Sequence, residues 1–252
     1  MSDQQGRTIA KTNVIREKLA RGEGSPFQTY RALTVGEGSL WSFIRYEILT
    51  TLLGPLPGAA GYLLRKIFYR KLFKSVGNGL IIGRNVVIRH PGRISIGANV
   101  TIDDNSIIDG RGSGRQGIVL DDNVLINRNC MILAKTGPIH IGRKTSIGSN
   151  SVIVSIAGVK IGQSVLTAGG LYISAGSYRF DNPDIPVMEH DAWSTGPVEI
   201  GDGAWMGTRV TLLDGVRVGR GAVVGACSMV NSEIPAFGIA VGTPAKVIRM
   251  RR

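Results

Sequence analysis

The sequence predicts an all-β chain wound as a parallel β-helix, with an N-terminal helical extension. Three observations predict it. Aliphatic residues recur every six positions: Ile200, Met206, Leu212, Val218, Val224 and Val230 stand at equal steps within 198–234. Neither the 3.6-residue period of a helix nor the two-residue period of a strand gives that spacing. A strict hexad marks a solenoid whose unit is one short strand and one corner. Second, glycine follows most of these aliphatics, as at Gly201, Gly207, Gly219 and Gly225, where a missing Cβ lets the backbone turn tightly. Third, a small residue falls four places after each aliphatic, as at Ala204, Val210, Val216, Ala222 and Ser228.

Residues 1–38 are polar and mixed in charge, with glycine-containing stretches at 22–26 and 36–38. They read as a flexible arm with a short helix over Val14–Arg21. Residues 39–77 differ. Ser39 can cap a first helix that ends near Leu53, before Gly54-Pro55. A second helix is predicted over Ala59–Phe73, with Leu63, Leu64, Ile67, Phe68, Leu72 and Phe73 among Arg65, Lys66, Arg70, Lys71 and Lys74. Neither apolar run is long enough to span a bilayer. This block suits an interfacial anchor on anionic lipid or a cap that closes the open end of the solenoid, and one element can do both.

The solenoid is predicted over 78–252. Its units begin at Ile82 and Ile88 and continue through Ile96, Ile102 and Ile108. A glycine- and arginine-rich loop at 110–117 interrupts them. Units resume at Leu120, Ile126 and Ile132, slip, and continue from Ile141 to Ile173. An excursion at 175–197 leaves the helix, and the six units from Ile200 complete it. Three hexads make a turn of about 18 residues, which gives roughly six turns. A proline-punctuated strand and a basic tail end the chain.

Composition narrows the partners. The chain of 252 residues has 35 glycines and 6% aromatics, as a narrow interior requires. Its net charge of +12 favours anionic partners, but no nucleic-acid-binding motif or aromatic-studded basic face accompanies it, so nucleic acid is not expected. Cys130 and Cys227 lack metal-ligand spacing and read as small buried thiols. With no disulfide framework and no apolar signal segment, a cytoplasmic location is expected, peripheral at the inner membrane face if 39–74 meets lipid.

The stretch Ile200-Gly201-Asp202-Gly203-Ala204-Trp205-Met206-Gly207, followed by Asp214-Gly215-Val216, Val224-Gly225-Ala226-Cys227-Ser228 and Val241-Gly242-Thr243-Pro244-Ala245-Lys246-Val247-Ile248-Arg249, resembles the hexapeptide-repeat acyltransferases. The subgroup it resembles holds the galactoside, maltose and polysaccharide O-acetyltransferases. The resemblance covers about residues 78–252. The N-terminal block is similar to the extension of members that act in cell-surface polysaccharide synthesis. The resemblance implies a left-handed β-helix, against the usual right-handed crossover, a homotrimer, and acetyl-CoA as co-substrate in a groove between neighbouring solenoids. It places CoA contacts on Thr208, Ala226, Asn231, Ser232 and Arg249, with Lys246 close by. Small residues admit the thin pantetheine arm, and the two cations can pair with phosphates. For Thr208 and Ala226 the competing reading is plain solenoid geometry; for Lys246 and Arg249 it is a solvated basic tail.

The function implied is acetyl transfer to a sugar hydroxyl of a glycan, polysaccharide or lipid-linked saccharide. That reaction needs a base, because a hydroxyl is a weak nucleophile until it loses its proton. Members of the family use a histidine at the start of the long loop. Here the stretch reads Ser174-Ala175-Gly176-Ser177-Tyr178-Arg179-Phe180-Asp181-Asn182-Pro183-Asp184, and Tyr178 or Arg179 takes the histidine's place. His190, at the far end of the loop, is a replacement candidate. A tyrosine hydroxyl has a reference value near 10, so Tyr178 needs help to act. Arg179 stays protonated and can hold an anion or an oxyanion. Asp181 and Asp184 suit capping of the turn at Asn182-Pro183. His140 reads as a solvated face residue and His90 as structural, and the three histidines form no metal cluster. Two alternatives stay open: a non-catalytic trimeric scaffold that lost its base, and N-acyl transfer to an amino sugar, whose neutral amine needs less help.

Overall fold

In the computed structural model of the chain, residues 25–36, 38–112 and 117–252 are described, together with the backbone of 7–8. The helix expected over Val14–Arg21 and residues 113–116 of the glycine- and arginine-rich loop lie outside them. From Ser75 onward the chain winds as a three-faced prism, and its hexapeptide units fit a left-handed β-helix. The first face runs from Ser75–Val76 to Arg217–Val218. The second runs from Ile81–Ile82 to Val223–Val224, and the third from Val87–Arg89 to Met229–Val230. The first and third faces have seven strands each, one turn more than the sixfold count. The slips between Ile132 and Ile161 hide that turn from a count of unbroken hexads.

Strands within each face are parallel and in register, so like positions stack. Ile108, Ile132, Ile153 and Ile173 form one inward column on the third face, and all four are fully buried. Each fully buried side chain of that size contributes about 1.5–3 kcal/mol. The small residues four places on are buried too, among them Cys130, Ser151, Ala204, Ala222 and Ser228. The glycine after each aliphatic, expected to make the tight turn, does not make it. A Cβ on Gly83, Gly148, Gly201 or Gly207 would stand 2.4–2.6 Å from backbone of the next coil, so these glycines permit stacking. The turn itself falls two residues later, at Asn85, Asn105, Asn123, Asn129 and Asn150, all at positive φ. Asparagine tolerates that region better than most residues. Cys227 holds the same corner position with φ 59 and is exposed, which corrects its reading as buried. Cys130 is buried, and desolvation pushes its thiol up.

Among the described residues, three helices precede the solenoid. α1 (Pro26–Thr34) starts in a capping box between Ser25 and Gln28, with proline at its first turn. Its polar composition hid it within the expected arm. α2 (Leu40–Leu53) is capped by Ser39, as expected. α3 (Gly58–Phe68) stops five residues short of the predicted end, and Tyr69–Lys71 continue as a 3-10 turn. Tyr46, Tyr69, Leu72 and Phe73 join the solenoid core and close its first coil. The Tyr46 hydroxyl donates to the Ile88 carbonyl at 2.7 Å. Arg65, 3% exposed, donates to the carbonyls of Ile82, Leu53 and Leu56, which ties both helices to the second face.

His90 is structural, as read. It is buried at a positive φ of 52, with Nε2 2.9 Å from the Ala32 carbonyl of α1. Asp109 lies beside it and takes the Arg111 guanidinium at 2.6 Å. Desolvation alone would raise the Asp109 carboxyl, but His90 and Arg111 more than offset it and hold the group below the usual carboxylate range. At the other end, Gly238–Gly242 and Ala245–Met250 close the second face as an antiparallel pair.

Candidate functional site

The excursion begins where Tyr172–Ala175, the fifth strand of the third face, reaches its corner. Gly176 at φ 140 lies against Ile156, leaving no room for a side chain. The chain then folds back on itself. Ser177–Tyr178 pair antiparallel with Ala192–Ser194, with Tyr178 opposite Ala192. The Arg179 N–H extends the pair by donating to the Asp191 carbonyl at 3.2 Å. Tyr178, Arg179 and His190 therefore sit on the two limbs of one hairpin, although eleven residues separate Arg179 from His190.

Their environments differ. Tyr178 and Arg179 are exposed, and Arg179 faces Asp181 at 3.9 Å. His190 is 8% exposed and follows the 3-10 turn Val187–Glu189. Its Nε2 lies 3.1 Å from the Asn182 carbonyl. A carbonyl only accepts, so Nε2 carries the hydrogen and Nδ1 is the ring's acceptor. The Asn182-Pro183 turn is held by Asn182 itself, whose side chain accepts from the Asp184 N–H at 2.9 Å. Asp181 and Asp184 do not cap it.

The return limb is fixed by a residue that spacing alone did not single out. Asp214 accepts from the Ser194 hydroxyl at 2.6 Å, and from the Thr195 N–H and hydroxyl at 2.6 and 2.9 Å. Gly215 follows at φ 70, and a Cβ there would meet Thr195 Oγ1. In the sequence Asp214-Gly215 looks like one more corner, because its partners are twenty residues upstream.

The expected cofactor residues divide between two edges. Thr208 and Ala226 are exposed and stack on successive coils where the second face turns into the third, with the Cys227 N–H donating to the Thr208 carbonyl at 2.8 Å. The C-terminal turn lies against this edge: the Gly242 N–H donates to Ser228 Oγ at 3.0 Å and Thr243 Oγ1 to the Cys227 carbonyl at 3.3 Å. Lys246, opposite Val241, starts the last strand there, and Arg249 lies further along it opposite Ile239. Both are exposed. Asn231 and Ser232 are one edge away. They line an open cleft of about 540 Å³ with Thr195, Pro197, Asp214 and Glu233, at the foot of the hairpin. His140 is half-exposed on the first face and pairs with Asp121 at 3.0 Å, away from both edges.

Comparison with known proteins bears on this geometry. The family model for the "Hexapeptide repeat of succinyl-transferase" matches residues 138–175 and 197–232. The chain is 32% identical over 198 residues to WbbJ of Escherichia coli (strain K12), named "Putative lipopolysaccharide biosynthesis O-acetyl transferase". That match covers 74% of this chain and 83% of WbbJ. It is 37% identical over 121 residues to a "Probable acetyltransferase" of Mycobacterium tuberculosis, covering 48% of this chain and only 40% of that relative. A crystal structure of a mutant of AntD, an N-acyltransferase from Bacillus cereus, in complex with dTDP and coenzyme A, superposes with a TM-score of 0.51 at 25% identity. It covers 73% of this chain and 88% of AntD.

Proposed function

We infer, because the chain belongs to the hexapeptide-repeat acyltransferase family, that it transfers an acetyl group from acetyl-CoA to a hydroxyl of a glycan, polysaccharide or lipid-linked saccharide. One observation carries the reading: the edge built of small exposed residues, Thr208 and Ala226, has Lys246 of the last strand beside it and Arg249 further along that strand, while the hairpin with His190 rises one edge away. The small residues suit a thin pantetheine arm, with Lys246 and Arg249 on its phosphates. His190 takes the proton of the attacking hydroxyl through Nδ1. Arg179 stabilises negative charge on the acyl oxygen or on an anionic acceptor, and Tyr178 lines the approach.

Because the two edges of one chain are separated by the third face, the reading places CoA between two copies in a homotrimer. The outward positions of the third face support the contact: Val87, Ile107, Met131, Leu133, Val152, Val154 and Tyr172 are apolar or aromatic. The trimer is placed at an anionic membrane surface, met through 39–74.

Calorimetric titration with acetyl-CoA is expected to give micromolar binding, about −8 kcal/mol. In light scattering the protein is expected at three times the 26.9 kDa chain mass. Arg249→Ala and Lys246→Ala should each weaken binding about tenfold, as loss of a charged hydrogen bond does. No binding would overturn the transferase reading and leave a scaffold. Binding by a single chain would remove the trimer.

N-acyl transfer to an amino sugar is the second reading. The absence of the loop histidine, whose place Tyr178 or Arg179 takes, and the likeness to AntD favour it. Turnover with amino-sugar acceptors and none with their hydroxy counterparts would decide for it.

A further inference from the structure

The helical layer has two apolar faces, and the solenoid uses one. The outward face of α2 presents Trp41, Ile44, Ile48 and Leu52, spaced three and four residues apart along one side of the helix. All four are exposed, Trp41 to 71%. α3 adds Leu63 and Ile67, also exposed and four residues apart. Exposed apolar surface on this scale marks an interaction site.

Its rim is cationic. Between residues 38 and 74 the chain carries Arg45, Arg65, Lys66, Arg70, Lys71 and Lys74 against a single carboxylate, Glu47. Glu47 already accepts the Tyr30 hydroxyl at 3.0 Å, and Arg65 is buried in the cap. Lys66 and Lys71 lie along the rings of Tyr62 and Phe68, with Nζ 5.7 and 5.8 Å from the ring centres. Each ammonium thus sits over an aromatic ring as a cation–π pair. No helix among the described residues is long and apolar enough to cross a membrane.

We propose that this face docks flat on an anionic lipid bilayer, with Trp41, Ile44, Ile48, Leu52, Leu63 and Ile67 at the headgroup–acyl boundary and Lys66 and Lys71 over the headgroups. The charge decides for lipid over a second copy of the chain, since a self-contact would set one cationic rim against another. This deepens the membrane placement proposed above by fixing the face and the orientation. The docking face lies at the first-coil end of the prism. The hairpin leaves four strands further along the third face, and at about 4.8 Å per strand it stands roughly 20 Å higher.

The test is co-sedimentation of the full chain with phosphatidylcholine vesicles, with and without phosphatidylglycerol, run beside calorimetric binding of acetyl-CoA. Binding to the anionic vesicles is expected, weakening as salt rises. Trp41→Ser with Ile48→Ser should lower partitioning at least about tenfold by removing apolar insertion. Lys66→Gln with Lys71→Gln should do the same and flatten the salt dependence. Both pairs are on the surface, so circular dichroism and the thermal midpoint should match the parent. Vesicle binding is read independently of acetyl-CoA binding, so docking survives failure of the transferase reading and the converse holds. The proposal is overturned if the parent ignores anionic vesicles, if both double variants bind as the parent does, or if the variants change the number of chains per particle while vesicles stay unbound.

Discussion

His190→Ala is expected to lower kcat for acetyl transfer by about 10²- to 10⁴-fold, the usual worth of a positioned general base, while the acetyl-CoA Kd holds. The Asn182 carbonyl fixes the ring as the Nε2–H tautomer, and Nδ1 is then a ready acceptor. The same contact gives His190 a second role, because it ties Asn182 to the return limb of the hairpin. A merely structural histidine would also cost activity, so two further readouts separate the roles. Added imidazole should restore part of the rate, and the KM for the acceptor should hold while kcat falls. Neither follows from a displaced loop. Arg179→Gln is expected to lower kcat about 10²-fold through weaker stabilisation of negative charge, with no rescue by imidazole. Unchanged kcat in His190→Ala, with a collapse confined to Tyr178→Phe, would put the proton transfer on the tyrosine.

What could be read from the sequence follows from what repeats. Each coil meets the same surroundings, so Ile126, Ile147 and Met206 are forced into equivalent inward places and their spacing shows it. The glycine positions were equally visible, yet their reason was not. Gly148 looks like a turn residue until its neighbour twenty residues later, Ala168, is seen against it. The hairpin was legible as an excursion but not as a pair of limbs, because the Ser177–Tyr178 strand has no period and its partner follows fourteen residues later. Asp214 stayed hidden for a related reason: it occupies an ordinary corner and acts on residues outside the repeat. The N-terminal block was legible as a cap, closing the core through Phe43 and Tyr46, while the exposed Trp41, Ile44 and Ile48 on the other side of α2 are what raised the anchor reading. Helix α1 was missed although Ser25 and Gln28 spell a capping box, since at nine residues it is too short for its period to stand out within a polar stretch.

The stacking role of glycine makes the last prediction. Gly148→Val is expected to destabilise the chain by at least about 3 kcal/mol, at or beyond the upper end for overpacking. A Cβ at 148 would lie 2.4 Å from the carbonyl carbon and oxygen of Ala168. The clash is with backbone, so no side-chain rotation relieves it. The neighbouring strands are held in place: the Ala168 N–H donates to the Met206 carbonyl at 2.9 Å, and the Gly148 N–H to Thr167 Oγ1 at 2.9 Å. Separating these coils breaks such bonds and opens a gap beside Ile147 and Ile153 in the core. At about 2–4 °C per kcal/mol for a chain of this size, the thermal midpoint should fall by about 10 °C. Gly203→Ala is the control. Gly203 has open space where the Cβ would go but a φ of 64, so only left-handed strain is added, about 1 kcal/mol. If the clash with the next coil is what glycine avoids, Gly148→Val should be several times worse than Gly203→Ala in a urea titration. Equal costs would mean that the clash with the next coil is not what glycine avoids at 148.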